Sequence, residues 1–147
     1  MRAVGLDLEE RRIGVAVSDR AGTLAVSHGV IERGDDWRAV VEAVHELEAE
    51  CVVVGLPLSL DGSRGPAARK AEADAAALGA LLDVPVELVD ERLTTVSAHR
   101  SLQAAGVRSP ARRRVVDQVA ATVLLQTWLD GRRFAGAAPS EPRVETP

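Results

Sequence analysis

The run Cys51 Val52 Val53 Val54 Gly55 Leu56 constrains the fold more than any other segment. A continuous β-branched stretch this short, bounded by polar residues, reads as a strand covered on both faces. Such a strand needs amphipathic helices above and below it. The flanking segments supply them. Val40, Val41, Val44 and Leu47 recur at helical spacing between Asp36 and Glu50, behind a cap expected at Asp35. Gly65 and Pro66 open an alanine-rich helix reaching about Leu82, proline being suited to a first helical turn.

Upstream, apolar runs over residues 3–6 and 13–17 enclose the charged Glu9, Glu10, Arg11 and Arg12, which predicts a β-hairpin. A third strand is predicted over 24–31, after the turn signal Ala21 Gly22. Downstream, 84–89 predicts a short strand, and 94–105 and 113–129 predict two helices separated by Gly106 and Pro110. Strands alternating with helices in the second half imply right-handed parallel crossovers, hence an α/β sheet with helices on both faces.

With 147 residues, 46% of them hydrophobic, the chain can bury one sizeable core, which we place in a domain over 1–134. From 135 the composition turns to Ala, Pro, Ser, Glu and Thr, so 135–147 is expected to be a disordered tail. The apolar N-terminal run is too short and too acidic for a signal peptide, and nothing approaches the roughly 20 apolar residues of a membrane span. A cytoplasmic protein with no membrane partner is expected. Cys51 is the sole cysteine, which excludes an intrachain disulfide and a thiolate zinc site, and its apolar run suggests a buried structural thiol. His28, His45 and His99 form no metal-spaced pair.

The net charge of −4 argues against a polyanionic partner until the charges are located. Positive charge is almost all arginine and clusters at Arg108, Arg112, Arg113 and Arg114. Guanidinium forks match phosphate oxygens, so this cluster is expected to bind a nucleic-acid backbone, the alternative being a solvated helix start.

Three acids stand out. Asp7 ends the first strand and Glu91 follows the strand over 84–89, and in an open α/β sheet ligands bind in the crevice at strand ends. Asp117 is expected at the edge of a helical apolar stripe formed by Val116, Val119, Ala120 and Val123, facing the sheet's rim; an ordinary first-turn aspartate is the alternative. Carboxylates without histidine or cysteine suit Mg²⁺ or Mn²⁺, and two such ions can assist in-line phosphodiester displacement. The loop over 55–66 joins a buried strand to a helix start, where backbone N–H groups with Ser63 and Arg64 could receive a phosphate; it lacks the Gly-Lys-Ser/Thr element of a Walker loop. Arg92, beside Glu91, joins Ser63, Arg64, Arg112, Arg113 and Arg114 as an expected nucleic-acid contact.

In order, Arg12 Ile13 Gly14 Val15 Ala16 Val17 Ser18 Asp19, the 55–66 loop, 89–95 and 116–121 resemble the motifs of the YqgF family. These bacterial proteins are similar to Holliday-junction resolvases and are regarded as nucleases that mature the 5′ end of pre-16S ribosomal RNA. The resemblance spans about residues 1–129. It implies a ribonuclease H-like fold, a five-stranded mixed sheet with helices on both faces, and Asp7, Glu91 and Asp117 as the acidic triad. It also implies a structured precursor rRNA as partner, with ribosomal particles as context and a monomer or homodimer as the working form. The chain departs from the family at Glu9, where glycine is usual two positions after the first aspartate. Glu9 is expected to turn outward from an exposed hairpin connection, with Arg11 or Arg12 able to pair with it.

Three further readings compete: a non-catalytic RNA-binding or ribosome-assembly factor, a resolvase acting on branched DNA, and a phosphotransferase of the actin and sugar-kinase type. The last group normally has two such domains, and this chain has room for one. Aromatic content is 2%, with Trp37, Trp128 and Phe134 the only aromatic residues, which favours recognition by shape and phosphate contacts over base stacking.

Overall fold

Alternation along the strands sorts the sheet's side chains into two cores. The structure is a computed structural model that describes residues 1–93 and 110–137, with side chains in the last helix described from Asp117 to Arg132. Strands β1 (Ala3–Leu8), β2 (Arg12–Ser18), β3 (Ala25–Glu32), β4 (Cys51–Leu56) and β5 (Val86–Asp90) form one sheet in the order β3-β2-β1-β4-β5. β1 to β2 and β2 to β3 are antiparallel, whereas β1, β4 and β5 run parallel. The sheet is therefore mixed, as expected. β4 lies between β1 and β5 and is buried along Cys51–Gly55, the condition its β-branched run requires.

On one face Ala3, Ala16, Cys51 and Val53 pack against Ala120, Ala121, Leu124, Leu125 and Leu129 of helix α3 (Pro110–Ala137). On the other, Val4, Leu6, Ile13, Val15, Val17, Val52 and Val54 pack against Val40 and Val44 of α1 (Arg38–Glu46) and Leu78 of α2 (Pro66–Leu81). Burying one such leucine or valine contributes about 1.5–3 kcal/mol, so the two cores carry the sheet's stability. In α2 the buried positions are Ala68, Ala71, Ala75 and Leu78, small residues that let the helix lie close to the strands.

Several boundaries move. α1 begins at Arg38, and Asp36 rather than Asp35 accepts the Arg38 N–H (3.0 Å). α3 starts at Pro110, which suits a first helical turn, and runs to Ala137, so the expected tail boundary at 135 falls inside the helix. The helix expected over 94–105 and the segment 138–147 lie outside the described residues. Among the described residues no helix is long and apolar enough to cross a membrane.

The β1–β2 hairpin closes tightly, with the Glu9 N–H donating to the Arg12 carbonyl (2.9 Å). Arg33 ties this turn to the body of the protein. Its Nη1 donates to the Glu9 carbonyl (3.2 Å), its Nη2 pairs with Asp74 of α2 (2.9 Å), and its guanidinium lies over the Trp37 ring at 4.8 Å.

Glu48 holds a left-handed φ of 54°, the one positive φ outside glycine among the described residues. It ends α1 in a Schellman arrangement, with the Glu48 and Ala49 N–H groups donating to the His45 and Val44 carbonyls. Glycine is the usual occupant of this position, because a side chain there costs roughly 1–2 kcal/mol. The exposed Arg20–Glu48 pair offsets little of that cost. Glu48→Gly should therefore raise stability by about 0.5–1 kcal/mol, since glycine's greater unfolded-state freedom returns part of the gain. The measurement is the urea midpoint at unchanged slope; a lower midpoint would contradict the account.

Candidate active site

Strand register builds the site. Asp7 of β1 lies opposite Gly14 of β2. β1 and β4 pair Leu6 with Val54, so one step further the same register sets Asp7 beside Gly55. Gly14, Asp7 and Gly55 thus form a row across three strands, about 4.8 Å apart per strand. Period-two alternation puts Asp7 on the face of Ala3, the face covered by α3.

The other two acids come down onto this row where it has no side chains. A Cβ added to Gly14 would collide with the Asp117 carbonyl, and one added to Gly55 would collide with the Glu91 Oε2. The Asp117 backbone therefore rests on the strand to one side of Asp7, and the Glu91 carboxylate on the strand to the other. Glu91 opens the short 3₁₀ turn that follows β5. Asp117 lies on a line with Ala121 and Leu125, which pack on Gly5 of β1, so the spacing of four along the helix carries the acid over Gly14. The buried stripe of α3 runs through Asp117, Ala120, Ala121, Leu124, Leu125 and Leu129. Asp117 thus lies within the stripe rather than at its edge, and Val119 and Val123 are only half-buried. Asp7, Glu91 and Asp117 are 3%, 5% and 6% exposed, burial that an acid sustains only with partners.

One partner is Arg12, whose Nε donates to Asp117 Oδ2 at 3.2 Å, with side chains 19% and 9% exposed. Of the two arginines that could pair with Glu9, Arg11 and Arg12, the second is engaged with Asp117. Glu9 is half-buried, and its neighbour Glu10 is exposed. Among the described residues no three acidic, histidine or cysteine side chains stand as a finished metal-ligand set. The donors nevertheless fit a hard cation. All are carboxylates, they are shielded from bulk water, and the two glycines let the Asp117 backbone and the Glu91 carboxylate approach the strands that flank Asp7. Asp7, Glu91 and Asp117 are the residues that could hold such an ion.

The expected nucleic-acid contacts divide. Arg92 is held by Asp90, with its Nε and Nη2 on the carboxylate (3.1 and 2.7 Å) and its Nη1 on the Leu60 carbonyl (3.2 Å). This pairing keeps the Asp90 carboxyl below, and the Arg92 guanidinium above, its ordinary range. Arg92 thus fixes the 55–66 loop beside Glu91. Within that loop the Ser63 N–H donates to Asp61 (2.8 Å) and its carbonyl accepts from Ser59 (3.0 Å). Arg64 is exposed and pairs with Glu72 at 2.6 Å, an exposed pair it can leave for a phosphate at a cost below about 1 kcal/mol. Arg112, Arg113 and Arg114 fall in the first turns of α3, with their side chains outside the described residues.

Arg12, Gly14 and Gly55 escaped the reading of individual residues. The signal for the glycines was their place in strands otherwise filled by β-branched side chains, which marks a close approach. Cys51 lies deep in the α3-side core. Burial, together with Glu87 at 3.7 Å, pushes its thiol up to about 11, so it stays neutral and is no nucleophile at physiological pH.

Against this geometry, the family model described as RuvX, Holliday junction resolvase, matches residues 1–131. A Mycobacterium sp. (strain KMS) protein named as a candidate pre-16S rRNA nuclease is 50% identical over 95% of this chain and 86% of its own. A Myxococcus xanthus protein of the same name is 47% identical over 90% of each chain. Among solved structures, Thermus thermophilus RuvC in complex with a Holliday junction substrate superposes at a TM-score of 0.54, with 17% identity over 90% of this chain and 96% of that one. The sheet and its helices are those of the ribonuclease H-like fold.

The two glycines should differ in what replacement disturbs. Gly14→Ala drives a methyl group into α3 backbone and should cost about 1–3 kcal/mol of stability. Gly55→Ala meets the far end of the Glu91 side chain, which can swing aside, and should cost less than about 1 kcal/mol while displacing the carboxylate. Thermal melts of both variants decide it; equal losses would show that the glycines do not mark these contacts.

Proposed function

We propose, from the premise that the chain belongs to the RuvX family of Holliday junction resolvases, that it is a divalent-metal-dependent nuclease whose substrate is structured precursor ribosomal RNA. The observation that carries this reading is the approach of three buried acids, Asp7 near a strand end, Asp117 with its backbone on Gly14, and Glu91 with its carboxylate on Gly55. Oxygen donors of this kind suit Mg²⁺ or Mn²⁺. Bound there, one or two ions would polarise the phosphodiester and lower the pKa of an attacking water.

The chain's own residues do the rest. Asp7, between the other two acids, is placed to share an ion with either. The α3 core behind it excludes water and strengthens every charge interaction at the site. Arg112, Arg113 and Arg114 precede Asp117 by about one helical turn along α3 and are the residues we expect to meet the phosphates of a bound strand. Arg64 lies on the loop that Arg92 holds beside Glu91 and offers a further phosphate contact.

RNA as the substrate class is supported by the relatives named as candidate pre-16S rRNA nucleases. In that role the protein would work in the cytoplasm, among precursor ribosomal particles. The family description favours branched DNA as a second reading.

The test incubates the protein with a precursor ribosomal RNA fragment and, separately, with a four-way DNA junction, in Mn²⁺ or in EDTA. Metal-dependent cleavage of the RNA is expected, faster than any cleavage of the junction, and Asp7→Asn should lower it at least 100-fold, about 2.7 kcal/mol of barrier. Faster junction cleavage would favour the second reading. Cleavage that persists in EDTA or in Asp7→Asn would overturn the metal mechanism, and binding without cleavage of either would identify a non-catalytic factor.

A further inference from the structure

Arg12 is the one cation among the described residues paired with the three carboxylates. It stands two residues before Gly14 on β2, so alternation returns it to the α3 face, beside the strand position over which Asp117 rests. Only its Nε is engaged with Asp117, and among the described residues no partner takes its Nη groups. A guanidinium can hold two anions at once through its fork. The pair is also shielded enough that its charge is poorly screened.

These features give Arg12 two opposed effects. It competes with a divalent cation for Asp117, because a positive charge lies against the same oxygen. It also offers its remaining N–H groups to a phosphate. We infer that Arg12 is the resting counter-ion of Asp117: it holds the helix carboxylate in the metal-free protein, weakens divalent binding there, and bonds an incoming phosphate through its Nη groups. This inference rests on the metal-site reading above and adds a positioning residue to it. Metal occupancy is thereby coupled to substrate, since a phosphate that draws the guanidinium away frees Asp117 for the ion.

A merely structural ion pair makes a different forecast. If Arg12 only orients Asp117, its loss disorders the acid and weakens metal and nucleic-acid binding alike.

The experiment compares the parent with Arg12→Gln, Arg12→Lys and Asp7→Asn. Mn²⁺ binding is measured by calorimetry without nucleic acid, and binding of a short RNA duplex by fluorescence anisotropy in EDTA, where no cleavage occurs. Arg12→Gln should bind Mn²⁺ at least ten-fold more tightly and the duplex at least three-fold more weakly. Arg12→Lys, which keeps the charge, should stay within about three-fold of the parent for Mn²⁺ and guards against a glutamine variant that fails to fold. Weaker or unchanged Mn²⁺ binding in folded Arg12→Gln overturns the counter-ion role, as does tighter Mn²⁺ binding in Arg12→Lys equal to that of the glutamine variant. Unchanged duplex binding overturns the phosphate contact. Asp7→Asn separates the two levels: if it leaves Mn²⁺ binding intact, the metal-site reading fails whatever Arg12 does.

Discussion

Helix α3 reaches the sheet closely because Gly5 and Gly14 present no side chain to it, and the remaining geometry of the site depends on that contact. Ala121 and Leu125 settle on Gly5, the Asp117 backbone on Gly14, and Leu124 and Leu129 extend the same apolar seam. Helical spacing then leaves Asp117 no freedom of height over the strands. The apolar residues supply the energy of this docking, and the acid is carried along with them. A methyl group on Gly14 would lift the helix and with it the acid.

Gathering acids in this way is unfavourable by itself. Two carboxylates about 5 Å apart repel by about 3 kcal/mol at an effective dielectric near 20. Burial raises the cost of leaving either uncompensated. The chain answers part of it with Arg12, and the neighbouring ion pairs do related mechanical work. Arg92 on Asp90 holds the 55–66 loop by the Leu60 carbonyl, and Arg33 on Asp74 holds the hairpin by the Glu9 carbonyl. Each of the three arginines anchors a segment that borders the acids.

Much of this was legible in the chain. The β-branched run at 51–56 required a two-sided sheet, and the two apolar runs around Glu9–Arg12 required the hairpin, because period and length are local properties. Asp7 and Glu91 could be selected because strand ends are readable. Asp117 was set at the edge of a stripe that in fact contains it, since a helical wheel shows neither which strand residues lie beneath nor that two of them are glycine. Arg11 or Arg12 could have paired with the nearby Glu9, whereas Arg12 has its partner 105 residues away. Ion pairing across such a separation follows from tertiary placement, which no local pattern encodes. The same holds for the bond from Arg92 to the Leu60 carbonyl, which ties two segments 32 residues apart.

If the Gly14–Asp7–Gly55 row gathers Asp7, Glu91 and Asp117 into one cation site, a divalent ion should be found above it. The most direct measurement is anomalous diffraction at the manganese edge from a crystal of the protein soaked in Mn²⁺. The account predicts an anomalous peak above the row, within about 2.0–2.4 Å of carboxylate oxygens from Asp7 and at least one of Glu91 and Asp117. A peak bound elsewhere, with none above the row at saturating Mn²⁺, would contradict it.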